Sequence, residues 1–225
     1  MNLTYPAIFL NCKTYEESSG EKGVKLAKIA DKIAKEYNAS IIIIPQHPIL
    51  AKVVESVDIP VFAQSVDAIA PGSHTGWITP LSVASIGVLG TLINHSEHRD
   101  TIANIEEAIS LCKKNNLYTL VCSNNIATSI ATAACNPDAI AMEPPELIGS
   151  GISVSTKPEI VENTIKSVKK HFPSVHVVVG AGVSTKGDVR DSLKLNAEGV
   201  LLASAFVKAK NPEELLKSMV ESIIN

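Results

Sequence analysis

Glu143 is the residue whose place in the sequence most clearly indicates chemistry. It directly follows the apolar run Ala139–Met142, so its carboxylate is expected to be partly removed from water at the end of a strand. A carboxylate held in this way can act as a general base. The first chemistry that the sequence indicates is therefore abstraction of a proton from a bound substrate.

Two groups of small residues also follow apolar runs and could form a binding site for phosphate. Gly180-Ala181-Gly182 and Ala203-Ser204 leave backbone N–H groups accessible, because their side chains take up little space. Small residues after the seventh and eighth strands of a barrel are a common phosphate cradle. The alternative is that these residues only permit tight turns.

Two further groups have both a chemical and an ordinary interpretation. His95 and His98 are spaced as a metal-binding pair could be, but no third ligand stands at a convincing spacing. A histidine after a strand can equally be a helix cap or a surface residue. Asn11 and Lys13 could likewise form no more than a turn with a solvated charge.

These residues need strands to hold them, and the chain contains eight short apolar runs typical of strands buried on both faces. The predicted strands are Ala7–Leu10, Ser40–Ile44, Val61–Ala63, Val88–Ile93, Thr119–Cys122, Ala139–Met142, Val175–Val179 and Gly199–Ala203. Helices are predicted between them at Glu21–Tyr37, Pro48–Ser56, Pro80–Ser85, Ile102–Lys114, Ile126–Ala134 and Lys186–Leu195, and from Pro158 and Pro212 onward.

The strands and helices alternate without a linker or a change in composition. Eight units over 225 residues give about 28 residues per unit. We therefore predict one (β/α)₈ barrel over residues 1–225, with eight parallel strands inside eight outer helices, so that the residues after the strands meet at one mouth. The alternative, an open doubly wound sheet, usually has a glycine-rich loop after its first strand, and this chain has none there.

The composition argues against several classes of protein. A net charge of −3, a pI near 6.1 and an aromatic content of 4% provide no basic or base-stacking surface for nucleic acid. No apolar run is long enough to span a membrane. The four cysteines have no metal or disulfide spacing, so we expect free thiols and a cytoplasmic protein without nucleic-acid or membrane partners.

The segment after Glu143 has the composition of a hinged lid. Two prolines stiffen its start, and Gly149 and Gly151 free its end. Leu147 and Ile148 would form an apolar tip, which is unusual for an ordinary surface loop, the alternative interpretation.

Together these motifs resemble the triosephosphate isomerase family, in particular its short archaeal-type branch. The resemblance covers the whole chain and rests on Asn11-x-Lys13, the block 94–99, the lid from Glu143 to Gly151, Gly180-Ala181-Gly182-Val183, and Ala203-Ser204. It implies an isomerase of glycolysis and gluconeogenesis that needs no metal or organic cofactor. The reaction would interconvert dihydroxyacetone phosphate and D-glyceraldehyde 3-phosphate through an enediolate.

The resemblance also assigns roles to individual residues. Glu143 would be the general base, and His95 the neutral imidazole that polarises the carbonyl. Lys13 would stabilise the phosphate and the enediolate, and Asn11 would hydrogen-bond near the reacting oxygens. Glu97 would pair with Lys13 or anchor loops. The residues in contact with the substrate and its phosphate would be Asn11, Cys12, Lys13, Ile148, Gly149, Gly182, Ala203 and Ser204.

The resemblance further implies a homo-oligomer, with a tetramer favoured over a dimer. In the family, the long loop after the third strand docks into a neighbouring subunit, and here that loop is Gln64–Ile78. Other phosphate-binding barrels are less well supported: an aldolase would need a lysine on a strand, and a metal-dependent epimerase several His or Asp ligands at strand ends. A non-enzymatic binding barrel would lack Glu143, His95 or Lys13, and all three are present.

Overall fold

Eight parallel strands form the centre of the molecule in the computed structural model, which describes residues 3–145, 153 and 156–224. They are β1 Ala7–Asn11, β2 Ser40–Ile44, β3 Phe62–Ala63, β4 Gly90–Ile93, β5 Tyr118–Ser123, β6 Ala139–Met142, β7 His176–Val179 and β8 Gly199–Leu202. Their order in the sheet is β2-β1-β8-β7-β6-β5-β4-β3. A single parallel bridge between Ile43 and Val61 joins the two ends. The predicted (β/α)₈ barrel is therefore confirmed.

Helices surround the barrel and connect successive strands. Within the described residues they are α1 Glu21–Tyr37, α2 Leu50–Val54, α3 Pro80–Ser85, α4 Ile102–Lys114, α5 Ile126–Ala134, α6 Pro158–His171, α7 Lys186–Lys194, α8 Ser204–Val207 and α9 Pro212–Ile224. The count exceeds the predicted eight by α8, which at four residues is too short to show helical periodicity in the sequence. None of these helices has both the length and the apolar character needed to cross a bilayer.

The core has two layers because alternate residues of each strand face opposite sides of the sheet. On β1, Phe9 packs inside the barrel, whereas Ile8 and Leu10 pack outward against the helices. The glycine at the start of β4 is required by this packing. A Cβ on Gly90 would lie 2.5 Å from the ring of Phe62, so only glycine leaves room for that ring inside the barrel.

Candidate active site

A cavity of about 430 Å³ opens at the carboxyl ends of the strands. The predicted site residues that line it are Asn11, Lys13, His95, Glu97, Glu143, Gly182, Ala203 and Ser204. They come from five different strand ends, which only barrel closure brings together. Cys12 is fully buried and packs in the outer hydrophobic layer, so its side chain is not part of the cavity wall. The predicted contacts Ile148 and Gly149 lie outside the described residues.

His95 is held in one tautomer by the backbone that follows it. The N–H of Glu97 donates to Nδ1 of His95 at 3.2 Å, so Nδ1 is the unprotonated acceptor of a neutral ring. The proton of the ring is then on Nε2, which lies 3.1 Å from Oε1 of Glu143. Just beyond this segment, Thr101 caps α4 by accepting from the N–H of Asn104. Because its proton is on Nε2, the ring of His95 can donate a hydrogen bond from that atom into the cavity.

Glu143 is buried at the end of β6, with an exposed fraction of only 2%. Its N–H donates to the carbonyl of Ser123 at 2.7 Å, which fixes the start of the side chain. Its Oε2 is buried and has no hydrogen-bond partner among the described residues. The bare Cα of Gly180 makes room for it, because a Cβ there would lie 2.7 Å from Cγ of Glu143. One carboxylate oxygen therefore contacts His95, and the other is available to a ligand.

Cys122 stands beside this carboxylate inside the barrel. Complete burial, together with the negative charge of Glu143, raises the pKa of the Cys122 thiol well above its usual range. The thiol therefore stays protonated, and it is a packing neighbour of Glu143 rather than a nucleophile.

Lys13 is fixed at the mouth by contacts on both its backbone and its side chain. Its φ is 46°, a left-handed conformation that is uncommon outside glycine. Its N–H donates to Oδ1 of Asn11 at 3.0 Å, and its carbonyl accepts from Nε2 of Gln64 at 2.9 Å. Its Nζ lies 2.7 Å from Oε1 of Glu97. The ammonium group thus has a defined position on the cavity wall.

The wall opposite these side chains is formed by the small residues after β7 and β8. Gly182 has a φ of 71°, which its lack of a side chain permits. Ala203 precedes α8, whose first N–H groups have no partner within the helix. Backbone donors in the same cavity as Lys13 suit an anion, and phosphate is the anion that such loops commonly bind.

Gln64 and Tyr15 also belong to this region and were not predicted as site residues. Gln64 follows β3, and its Nε2 donates to the carbonyl of Lys13. Its position could have been indicated by the rule that site residues of a barrel follow its strands. Tyr15 lines the cavity, and Nζ of Lys208 lies 4.3 Å from the centre of its ring. This cation–π contact joins the loops after β1 and β8, and neither residue forms a motif in the sequence.

The described residues contain no group of three or more His, Cys, Asp or Glu side chains arranged to hold a metal ion. The second histidine of the predicted pair, His98, is exposed, and its N–H donates to the carbonyl of His95 at 2.8 Å. His98 therefore closes the turn that begins at His95.

Comparisons with known proteins agree with this geometry. The sequence profile described as triosephosphate isomerase matches residues 6–222. The chain is 52% identical to the triosephosphate isomerase of Methanocaldococcus jannaschii over 96% of its own length and 99% of that protein. It is 46% identical to that of Methanobrevibacter smithii, covering 97% of this chain and 99% of the relative. A third relative, from Caldivirga maquilingensis, is 44% identical over 97% of this chain and 98% of that protein.

Proposed function

The chain belongs to the triosephosphate isomerase family, and we propose that the cavity described above carries out the reaction of that family with the residues assigned below. The protein interconverts dihydroxyacetone phosphate and D-glyceraldehyde 3-phosphate. The observation that carries the proposal is the contact of 3.1 Å between Nε2 of His95 and the buried carboxylate of Glu143. A base and a hydrogen-bond donor in contact are the groups needed to move a proton next to a carbonyl.

Glu143 takes the proton from the carbon next to the carbonyl. Its Oε2 is buried and has no hydrogen-bond partner among the described residues, so this oxygen can accept the proton without first losing a bond. The electron pair of the broken C–H bond forms the C–C double bond of an enediolate, and the carbonyl oxygen takes the negative charge. The hydroxyl proton on the oxygen of the first carbon passes to the oxygen of the second, so that the first carbon becomes the carbonyl. The protonated Glu143 gives its proton to the second carbon, which completes the isomerisation without an external reactant.

His95 donates from Nε2 to the oxygen on which charge develops. A neutral imidazole serves this purpose because Nδ1 accepts from the N–H of Glu97 and leaves the proton on Nε2. Lys13 provides the positive charge beside the enediolate and the phosphate, and Asn11 contributes a side-chain amide at the same place. Glu97 holds the ammonium of Lys13 at 2.7 Å and does not itself touch the substrate.

Backbone N–H groups of Gly149, Gly182, Ala203 and Ser204 hold the phosphate in this proposal, and the backbone around Cys12 completes the contact set. Ile148 excludes water, which protects the enediolate from losing its phosphate. We treat residues 1–225 as one catalytic domain because the βα repeat is unbroken. We propose a cytoplasmic location because the cysteines lack the spacing of disulfides. None of the eight strands of the described structure contains the lysine that an aldolase would need.

A homo-oligomer is the assembly that we propose, with a tetramer favoured by likeness to the archaeal-type branch. Residues 71–77 of the loop after β3 are all exposed, and 57% of Trp77 is accessible. Further exposed apolar side chains lie nearby in the sequence, at Leu81, Ile86, Leu89 and Ile102. A second cavity of about 430 Å³ beside Lys13, lined also by His47, Gln64 and His98, offers a place for such a loop from another subunit.

Deletion of residues 72–76 tests the assembly. We expect monomers with little activity, because the loop would no longer reach the neighbouring subunit. Sedimentation of the variant and the intact protein measures this directly. An oligomer of unchanged size would refute the docking role of the loop.

The reaction is tested by isomerisation of dihydroxyacetone phosphate in ²H₂O. Because the proton passes through Glu143, the C2 position of the D-glyceraldehyde 3-phosphate formed should carry deuterium from the solvent. NMR of the product measures this incorporation. Product that keeps its original hydrogen throughout would show that the proton on Glu143 does not exchange with solvent, and absence of turnover would exclude the function itself.

A further inference from the structure

A buried carboxylate, Asp188, lies behind the loop that follows β7. The residue is 6% exposed and is not part of the cavity wall. Its Oδ2 accepts from the N–H of Ser184 at 2.9 Å, from the N–H of Thr185 at 2.8 Å and from the hydroxyl of Thr185 at 2.9 Å. Its Oδ1 accepts from the hydroxyl of Ser153. Four donors from two separate segments therefore converge on one side chain.

Part of this arrangement is an ordinary helix cap. Thr185 is the N-cap of α7, and Asp188 three residues later completes a capping box. The same box occurs at α5, where it is formed by Asn125 and Thr128. The bonds from Ser184 and Ser153 lie outside the box, and they join Asp188 to residues that are not in the helix. Capping of α7 alone therefore does not explain the contacts of Asp188.

Ser184 is the residue through which Asp188 can affect the cavity. Gly182, Val183 and Ser184 form adjacent parts of the cavity wall. Because Ser184 and Thr185 donate their N–H groups to Asp188, this end of the loop is turned toward the carboxylate and is anchored there. The conformation of the loop from Gly182 onward thus depends on an acceptor that lies outside the cavity.

The negative charge of the Asp188 carboxylate is stabilised by the hydrogen bonds that it accepts. Burial raises the pKa of Asp188, but the hydrogen bonds from Ser153, Ser184 and Thr185 outweigh burial and hold the pKa below its usual range. The carboxylate is therefore ionised at neutral pH. Its negative charge is directed at four donors and not at the cavity, where it would repel a phosphate.

We propose that Asp188 is a positioning residue for phosphate binding: it anchors Ser184 and Ser153 on one carboxylate and so holds the loop 182–184 in the shape that receives the anion. The proposal rests on the proposed function, because it concerns the phosphate of the same substrate. Asp188 does not touch that substrate and acts only through the loop.

The test compares Asp188→Ala with Ser153→Ala, the conservative variant Asp188→Asn and the control Asn125→Ala, which breaks the capping box of α5 at its N-cap. Three measurements are made on each: kcat and KM with D-glyceraldehyde 3-phosphate, kcat/KM with unphosphorylated D-glyceraldehyde, and competitive inhibition by inorganic phosphate. The unphosphorylated substrate reports the chemistry without the phosphate loop.

For Asp188→Ala we expect KM and the inhibition constant of inorganic phosphate to rise together by about tenfold, as loss of one or two charge-assisted hydrogen bonds implies. The kcat/KM for D-glyceraldehyde should stay within about twofold, since it does not use the loop. Ser153→Ala should show a smaller rise, of about threefold. Asp188→Asn should stay near the wild type, because the amide can keep an acceptor for Ser184 and a polar partner for Ser153.

Equal losses on the phosphorylated and unphosphorylated substrates would overturn the proposal, because they would indicate a general structural role. The same conclusion would follow if Asn125→Ala weakened phosphate inhibition as much as Asp188→Ala. Should Asp188→Ala fail to fold, unchanged phosphate inhibition in Ser153→Ala decides against the proposal, and weakened inhibition supports it. A wild-type protein that binds inorganic phosphate without isomerising triose phosphates would contradict the proposed function, while phosphate affinity would still test Asp188.

Discussion

The two ends of the barrel both carry ionisable side chains that are wholly or partly buried, but these groups are bonded differently. At the carboxyl ends of the strands, Oε2 of Glu143 and the hydroxyl of Ser96 are buried without a hydrogen-bond partner among the described residues. Lys13 adopts a left-handed backbone conformation at the same end. Buried groups without partners lower stability, and residues in uncommon conformations need support from their surroundings. At Glu143, which lines the cavity, this end of the barrel keeps bonding capacity for a ligand.

At the amino ends of the strands, the polar groups bond to one another. The hydroxyls of Tyr5 and Tyr118 are 2.5 Å apart, and the Tyr5 ring stacks on His176 with 4.0 Å between ring centres. Glu198 accepts from Nδ1 of His176 at 2.7 Å and lies 2.7 Å from Nζ of Lys169. We call these five residues the basal cluster. The cavity beside it has Tyr5, Tyr118 and His176 on its wall, yet both tyrosine hydroxyls and Nδ1 of His176 already have partners.

The comparison teaches that polarity and burial alone do not identify a functional site in this molecule. Both ends contain histidine, carboxylate and lysine side chains within bonding distance. They differ in whether those groups are satisfied before a ligand arrives. Substitutions at the mouth should therefore change activity more than stability, and substitutions in the basal cluster should do the reverse.

Glu143→Gln should have the largest effect. Because it removes the general base and keeps the size of the side chain, we expect kcat to fall by at least about 100-fold while the midpoint of urea unfolding is unchanged or higher. Glu55→Gln, the same change at an exposed position, is the control for both measurements. Turnover close to that of the wild type would remove Glu143 from the mechanism.

Glu198→Gln should have the opposite signature. It replaces the carboxylate that receives Lys169, His176 and the N–H of Val177, so the free energy of unfolding should fall by about 1–3 kcal/mol. The kcat should change by less than about twofold, because the residue is remote from the mouth. Urea unfolding with Glu107→Gln as an exposed control provides the measurement. A large loss of kcat at full stability would show that the basal cluster is not merely structural.

Tyr118→Phe should give a smaller loss, of about 1 kcal/mol, since it removes one hydrogen bond between two neutral groups. Burial raises the pKa of both phenols above their usual range, so neither hydroxyl is ionised at neutral pH. Tyr37→Phe removes the same hydroxyl from the end of α1 and serves as the control. Equal stability of the two variants would mean that the pair in the basal cluster contributes nothing.

The pH dependence of the basal cluster is the smallest effect that we predict. Burial raises the pKa of Glu198, but the bonds from Lys169, His176 and Val177 outweigh it and lower the pKa below the usual 4.5. Its contribution to stability is therefore present above pH 4.5 and is lost as the pH falls through the lowered pKa of the folded state. The difference in unfolding free energy between wild type and Glu198→Gln should shrink over this range. A constant difference would contradict the assigned cause.

Much of the fold follows from short-range patterns. The spacing of Val24, Ala27, Ala30 and Ile33 predicted the bounds of α1 correctly, because one face of a helix must be apolar to pack on a barrel. Strand ends were less certain: the run from Val88 is apolar, but the strand begins at Gly90, where pairing with β3 starts. Apolar character gives the location of a strand, and its partner determines where the strand begins.

The candidate site was predictable where residues follow strands and unpredictable where contacts join distant segments. Glu143 and Lys13 could be proposed from their positions after apolar runs. The support of Lys13 by Gln64, and that of Ser184 by Asp188, depends on side-chain directions that no local pattern contains. The pairing of Tyr5 with Tyr118 spans 113 residues and follows only from barrel closure. The assignment of catalytic roles stays a prediction until the variants are measured.

The closure of the barrel has a consequence for its motions. Seven of the eight junctions between strands are registered pairs, whereas β2 and β3 are joined by one bridge, from Ile43 to Val61. This seam, like the junction of β7 with β8 at Val179 and Val200, has a single registered pair, so local opening of the cylinder should require less free energy there than at the longer junctions. Gln64, which holds the carbonyl of Lys13, follows directly on the β3 side of the seam. Local opening of the barrel at this seam would therefore affect the position of Lys13, and tightening the seam would rigidify the mouth.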